Sequence, residues 1–183
     1  MSKVAICMAD GCEEIEGLTV VDVLRRGGME IDMVSISGDP YVTGSHNISF
    51  CADKLISEVN WAEYDGIVLP GGIPGTPNLL ANPEVVDALK LFAAEEKLIA
   101  AICAAPSVLG QVGLLEGKKA TSYPGFAEKM PGCQYQTDAV VSDGNIITSR
   151  GVGTAIAFGL KLIEVLVGED KSREIAEAIV YEK

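Results

Sequence analysis

Cys103 ends the apolar run Leu98–Ile102 and is followed by Ala104, Ala105 and Pro106, a proline placed to open a helix. A cysteine at a strand-to-helix turn projects its sulfur into the crevice beyond a sheet, where the first amides of the helix favour negative charge. That setting predicts a thiol pKa well below the free value of about 8.5 and hence a nucleophile at neutral pH. The small neighbours Ala101, Ala104 and Ala105 fit a nucleophile elbow, in which they permit a strained turn. The bland alternative is a cysteine that fills a core position.

Glu16 is the second candidate. Val20, Val23 and Leu24 follow it at i+4, i+7 and i+8, so its carboxyl lies on the apolar stripe of its helix and faces the sheet. Burial disfavours the charged form, which predicts a raised pKa and a carboxyl able to donate a hydrogen bond or pass a proton. Its alternative is an acid bent out to solvent. Glu13 and Glu14 read as first-turn acids favoured by the helix dipole. Gly71 and Gly72, after the apolar Ile67–Leu69, offer bare backbone N–H groups suited to an oxyanion hole, although Pro-Gly-Gly also simply reverses a chain. Arg150, with Gly151 to Thr154, suits a carboxylate or phosphate, or else makes an ordinary helix entry. The single histidine, His46, sits in a polar turn and supplies no Cys-His pair unless the fold brings it to Cys103.

These residues need a frame. The segments 4–9, 30–36 and 98–102 read as strands, with a weaker one at 48–51 and a buried one within 64–72. Between them lie a helix over 13–27, a helix opened by Asn82 as N-cap with Pro83 and running to about 96, and a short helix over about 106–115. A hairpin turns at Asp143-Gly144, and helices over about 153–167 and 170–181 follow. Strands alternating with helices predict an α/β three-layer sandwich, flavodoxin-like in order, with a mostly parallel central sheet and one hairpin excursion. One domain over 1–183 is expected.

Composition narrows the function. A net charge of −12 opposes nucleic acid at long range. Hydrophobic residues make up 48% of the chain, yet no apolar run approaches the ~20 residues of a membrane span, so no membrane partner is expected. Five scattered cysteines without a C-x-x-C pair argue for reduced thiols over a disulfide framework or zinc site. With a strand-like segment at Lys3–Ala9 and no signal-peptide pattern, a cytoplasmic location is expected.

The stretches ADGCEEIEGLTVVDVLRRGG, VLPGGIPG, LIAAICAAPSVL, EKMPG and ITSRGVGTAIAFGLKLIEVLVG, in order, resemble the ThiJ/PfpI superfamily and within it the DJ-one clade, bacterial ThiJ-type members. The resemblance implies a homodimer with Asp22 and Arg26 near the contact. It also implies Cys103 as the reactive thiolate, Glu16 as its protonated partner, and oxyanion or sulfinate contacts from Gly71, Gly72 and Ala104. Further, it implies cofactor-free, metal-free conversion of methylglyoxal or glyoxal to hydroxy acids and removal of early glycation adducts, or alternatively a cysteine-oxidation sensor or chaperone. Two positions depart from the pattern. Ala104 replaces the histidine that follows the cysteine in the protease-type branch, so peptidase activity is not expected. Tyr123 replaces a histidine in the segment 121–124, leaving Glu16, a water or Tyr123 as the base, and Tyr123 has a reference pKa of about 10. His46 falls where relatives often carry arginine.

Overall fold

The computed structural model describes residues 2–182. Its strands are β1 (Lys3–Met8), β2 (Glu30–Ser35), β3 (Tyr41–Thr43), β4 (Ser49–Cys51), β5 (Lys54–Leu55), β6 (Gly66–Leu69), β7 (Leu98–Ile102), β8 (Lys119–Ala120), β9 (Gln134–Tyr135), β10 (Val140–Asp143) and β11 (Ile146–Ser149). The helices are α1 (Glu14–Arg26), α2 (Gly75–Ala81), α3 (Pro83–Ala94), α4 (Pro106–Gln111), α5 (Ala155–Leu166) and α6 (Glu169–Ala178). Seven strands form the central sheet in the order β10-β11-β7-β6-β1-β2-β5. All its pairs are parallel except β10 with β11, the hairpin that turns through Asp143-Gly144.

Alternation along the buried strands divides the core. Val4, Ile6 and Met8 of β1 face the layer formed by α1, α5 and α6, while Ala5, Cys7 and Ala9 face the α2–α4 layer. In β7, Leu98, Ala100 and Ile102 join the first cluster, Ile99 and Ala101 the second. Strands covered on both faces lose the polar alternation of a half-exposed sheet, which is why they read as continuous apolar runs. Helix α1 lays Val20, Val23 and Leu24 on the sheet.

Several expectations needed revision. Helix α2, Gly75–Ala81, lies between the Pro-Gly-Gly turn and the Asn82 cap, in a stretch whose sequence pattern predicts no element. Helix α4 stops at Gln111, with turns replacing its expected continuation to residue 115. The weak strand near 48–51 pairs with β3 in a separate two-stranded hairpin. Asn82 caps α3 as expected, accepting from the N–H groups of Glu84 and Val85 at 2.9 and 3.2 Å. No helix among the described residues is long and apolar enough to cross a membrane.

Candidate active site

Cys103 occupies the left-handed region at φ 64° between β7 and α4. A non-glycine residue held there costs of order 1–3 kcal/mol and persists only where its surroundings fix it. They do so through the backbone. Its N–H donates to the Ser149 carbonyl at 3.0 Å, and its carbonyl accepts from the Tyr123 N–H at 2.8 Å. The end of β11 and the loop after β8 therefore clamp the elbow from two sides. Ala104 and Ala105 are buried, so larger side chains have no room there.

Glu16 is wholly buried on α1 and accepts the Gly71 N–H on Oε2 at 2.9 Å. Its Oε1 has no hydrogen-bond partner. A Cβ on Gly71 would come within 2.6 Å of Cys103 Cβ and 2.7 Å of Glu16 Oε2, so glycine is what lets thiol and carboxyl share one space. This revises one expectation. The Gly71 N–H orients Glu16 and is not free as an oxyanion donor, whereas the Gly72 and Ala104 N–H groups act on the sulfur.

Electrostatics revise another. Burial, then the charge of Glu16 and its hydrogen bond, pushes the Cys103 thiol up to about 12, against the opposing Ala104 and Gly72 N–H groups. The expected depression fails because burial and the neighbouring Glu16 carboxylate outweigh the Ala104 and Gly72 N–H groups at the start of the turn. Glu16 behaves as expected. Burial drives its carboxyl up to about 7, with the Cys103 hydrogen bond and the Gly71 amide opposing and the Glu13 charge adding to the rise. The two groups titrate as a pair: the first proton leaves near neutrality and the second far above it. Between those limits the pair holds one proton and one negative charge, the proton on sulfur and the charge on the Glu16 carboxylate, the stronger acid of the two.

The raised Glu16 pKa has a consequence for stability. Because the folded value exceeds the unfolded one, the stabilising contribution is fully present below about 4.5 and is lost as pH rises through about 7. Between pH 5 and 8.5 the native protein should lose about 2–3 kcal/mol relative to Glu16→Gln. Denaturant midpoints of both proteins across that range check this, and a constant difference between them contradicts it.

The pair opens into a cleft of about 560 Å³ lined by Glu13, Gly72, Tyr123, Arg150 and the 151–154 segment. A side-chain atom on Gly151 would lie 3.9 Å from both Cys103 Sγ and Glu16 Oε1, which places that segment directly over the pair. Tyr123 stands half-exposed at the rim, edge-on to Phe126. Arg150 lines the cleft, but its Nε and Nη1 donate to the carbonyls of Ser122 and Thr137 at 3.4 and 3.1 Å. It ties the loops around the cleft together. Thr154 Oγ1 accepts the N–H groups of Arg150 and Gly151 at 3.2 and 3.1 Å, fixing the wall opposite the sulfur.

His46 stays outside this cleft, in the turn between β3 and β4. Sequence reasoning missed the role of Glu14, which is buried and accepts the His46 and Ile48 N–H groups at 2.7 and 3.3 Å, pinning that hairpin to α1. Only the spacing of Glu14 from the first helical turn was visible, and its partners lie 32 and 34 residues away. Asp22 and Arg26 pair at 2.6 Å in a separate groove beside Ile15, Leu18, Ile48 and Ile156.

Comparison with known proteins agrees with this architecture. Protein DJ-1 homolog B of Arabidopsis thaliana is 41% identical over 180 residues, which are 97% of this chain and 41% of that protein. The chain thus spans less than half the length of that relative. The glutathione-independent glyoxalase DJR-1.2 of Caenorhabditis elegans is 33% identical, with 100% of this chain and 97% of that protein covered. Oxidized Toxoplasma gondii DJ-1 superposes with a TM-score of 0.96 at 40% identity, covering both chains completely. Residues 2–165 match the DJ-1/PfpI family, and the chain belongs to it.

Proposed function

We propose that this chain is a cofactor-free cysteine enzyme that converts small reactive dicarbonyls, methylglyoxal and glyoxal among them, to 2-hydroxy acids, and that reverses early glycation adducts by the same chemistry. The observation that carries this reading is the buried Glu16 carboxyl set beside the Cys103 thiol at the floor of an open cleft. A relative of similar length bears the name glutathione-independent glyoxalase, in keeping with it.

The chemistry follows from the pair. As sulfur adds to the aldehyde carbon, the Glu16 carboxylate takes the thiol proton and returns it to the new alkoxide, giving a hemithioacetal. The Gly72 and Ala104 N–H groups beside the sulfur are placed to stabilise that alkoxide. Glu16, again a carboxylate, removes the proton from the former aldehyde carbon and delivers it to the neighbouring carbon, while the hydroxyl proton of the former aldehyde carbon passes to the oxygen on that neighbour. The product is a thioester of the 2-hydroxy acid. Water cleaves its S–C bond, releasing lactate or glycolate and restoring the thiol. Atoms balance as dicarbonyl plus water, with no external oxidant or reductant.

Methylglyoxal supplied to the purified protein without glutathione tests the reading. Lactate should appear, with a transient adduct mapped to Cys103 by peptide mass. No lactate above the buffer rate, or adducts on arginine and lysine alone, would contradict it.

A second reading, a cysteine-oxidation sensor, draws on the unpartnered Glu16 Oε1 and the amides around the sulfur, which suit a sulfinate. Graded peroxide should then add two oxygens at Cys103 before the other cysteines react. For assembly, we assign a homodimer contact to the groove at Ile15, Ile48 and Ile156, whose side chains stand exposed around Asp22 and Arg26. Sedimentation should give the mass of two chains, reduced to one by Ile15→Glu; a monomeric native protein would contradict this.

A further inference from the structure

We propose that Glu13, Glu14 and His46 form a binding site for a divalent transition-metal cation of the zinc class, at the junction of α1 with the β3–β4 turn. His46 Nδ1 lies 3.0 Å from Glu14 Oε2 and 3.2 Å from Glu13 Oε2, and the ligand atoms of all three residues fall within 4.8 Å of one another. Metal bonds of about 2.1 Å place neighbouring ligands about 3.0 Å apart in an octahedron and about 3.4 Å apart in a tetrahedron. The observed nitrogen-to-oxygen separations are hydrogen-bond distances in the metal-free chain and also match a coordination polyhedron's edges, so an ion can replace the imidazole proton with little movement of the ligands.

The charge balance points to a cation independently of that geometry. The Glu13 and Glu14 side chains are 10% and 2% exposed, and among the described residues His46 is the only cationic partner of either. One Nδ1–H donates to one acceptor, so even a protonated imidazole leaves a surplus negative charge in a shielded place. Buried charge of this kind is ordinarily paired or metal-bound.

Both carboxylates are also fixed in advance. Glu13 Oε1 accepts the Ile15 N–H at 3.2 Å, Glu14 Oε1 accepts the His46 and Ile48 N–H groups, and each Oε2 lies against the imidazole, with the Ser45 hydroxyl 3.4 Å from Glu13 Oε2 and 3.1 Å from His46 Nδ1. Backbone donors behind metal-ligating carboxylates act in this way to orient them. A nitrogen in the donor set favours zinc over magnesium or calcium. In the single chain the His46 side chain is 68% exposed, beside the groove assigned above to the dimer contact, and leaves positions for water or for a group from that second chain.

The chain has one histidine, so its imidazole proton resonances report a single group. Zinc chloride is titrated into the full-length Cys103→Ala protein, which removes the thiol of the cleft as a competing ligand. One equivalent should shift both imidazole signals and abolish their pH titration, and calorimetry should show affinity reduced at least tenfold by Glu13→Gln and by His46→Gln. Imidazole signals that still titrate in excess zinc overturn the site, as zinc held by the remaining thiols would leave them. Affinity unchanged from the parent protein in Glu13→Gln or in His46→Gln overturns it as well. Since His46 is exposed, its replacement leaves the fold intact and keeps the comparison interpretable.

Discussion

Glu16→Gln should lower kcat for methylglyoxal by about 10²–10⁴-fold, the range ascribed to a positioned general acid or base. Glutamine has the same shape, and its amide oxygen can still accept the Gly71 N–H that now holds Oε2 at 2.9 Å. What it lacks is a transferable proton. The loss should therefore fall on kcat, with KM little changed, since the carboxyl meets the reacting carbons and not the body of the substrate. The rising limb of the pH-rate profile near 7 should vanish with it, because that limb is the first ionisation of the pair. The same variant gains stability above neutrality. Activity and stability moving in opposite directions would show a carboxyl kept buried for its chemistry. Turnover within threefold of the native enzyme would remove Glu16 from the mechanism.

Gly71→Ala should be nearly as damaging by a steric route. The added methyl would press on Cys103 Cβ, Glu16 Oε2 and the Ala104 nitrogen, at 2.6, 2.7 and 3.0 Å. Forcing one carbon into such a site typically costs about 1–3 kcal/mol, and displacing reacting groups by an ångström costs about 10²-fold in rate. Gly151→Ala is the matched control. Its Cβ would meet only ordinary contacts, none closer than 3.5 Å, and its backbone is extended at φ 163°. Thermal unfolding should separate the two, with Gly71→Ala clearly destabilised and Gly151→Ala close to native. Equal melting temperatures would mean that the floor of the cleft yields more readily than its packing implies.

The parts of the fold legible in the sequence are those whose patterns are local. Strands β1, β6 and β7 announce themselves as apolar runs, Asn82-Pro83 as a helix start, and Asp143-Gly144 as a hairpin turn. The placing of Glu16 followed from helical spacing alone, because the stripe containing Val20, Val23 and Leu24 had to face the sheet. What escaped depends on distant partners. Glu14 looked like a routine first-turn acid because the turn it pins is more than 30 residues away. Gly71 looked like an oxyanion donor because nothing in Pro-Gly-Gly reveals that its N–H is taken by a carboxyl 55 residues earlier.

The thiol departs from the sequence expectation for an energetic reason. Its position beside a helix start was read correctly, but the size of the effect was not. Burial first, and then the carboxylate that shares the cleft, raise the thiol pKa more than the Ala104 and Gly72 amides lower it. On the function proposed above, reactivity at neutral pH rests on Glu16 taking the thiol proton as sulfur attacks, and not on a thiol that ionises by itself.

The pH dependence of Cys103 alkylation, followed by peptide mass in the native protein and in Glu16→Gln, tests that claim most directly. The native rate should rise with a midpoint at or below about 7, where the pair loses its first proton, and Glu16→Gln should carry the midpoint above about 8.5, the range of an unassisted thiol. A native midpoint at 8.5 or higher that Glu16→Gln leaves unmoved would contradict it.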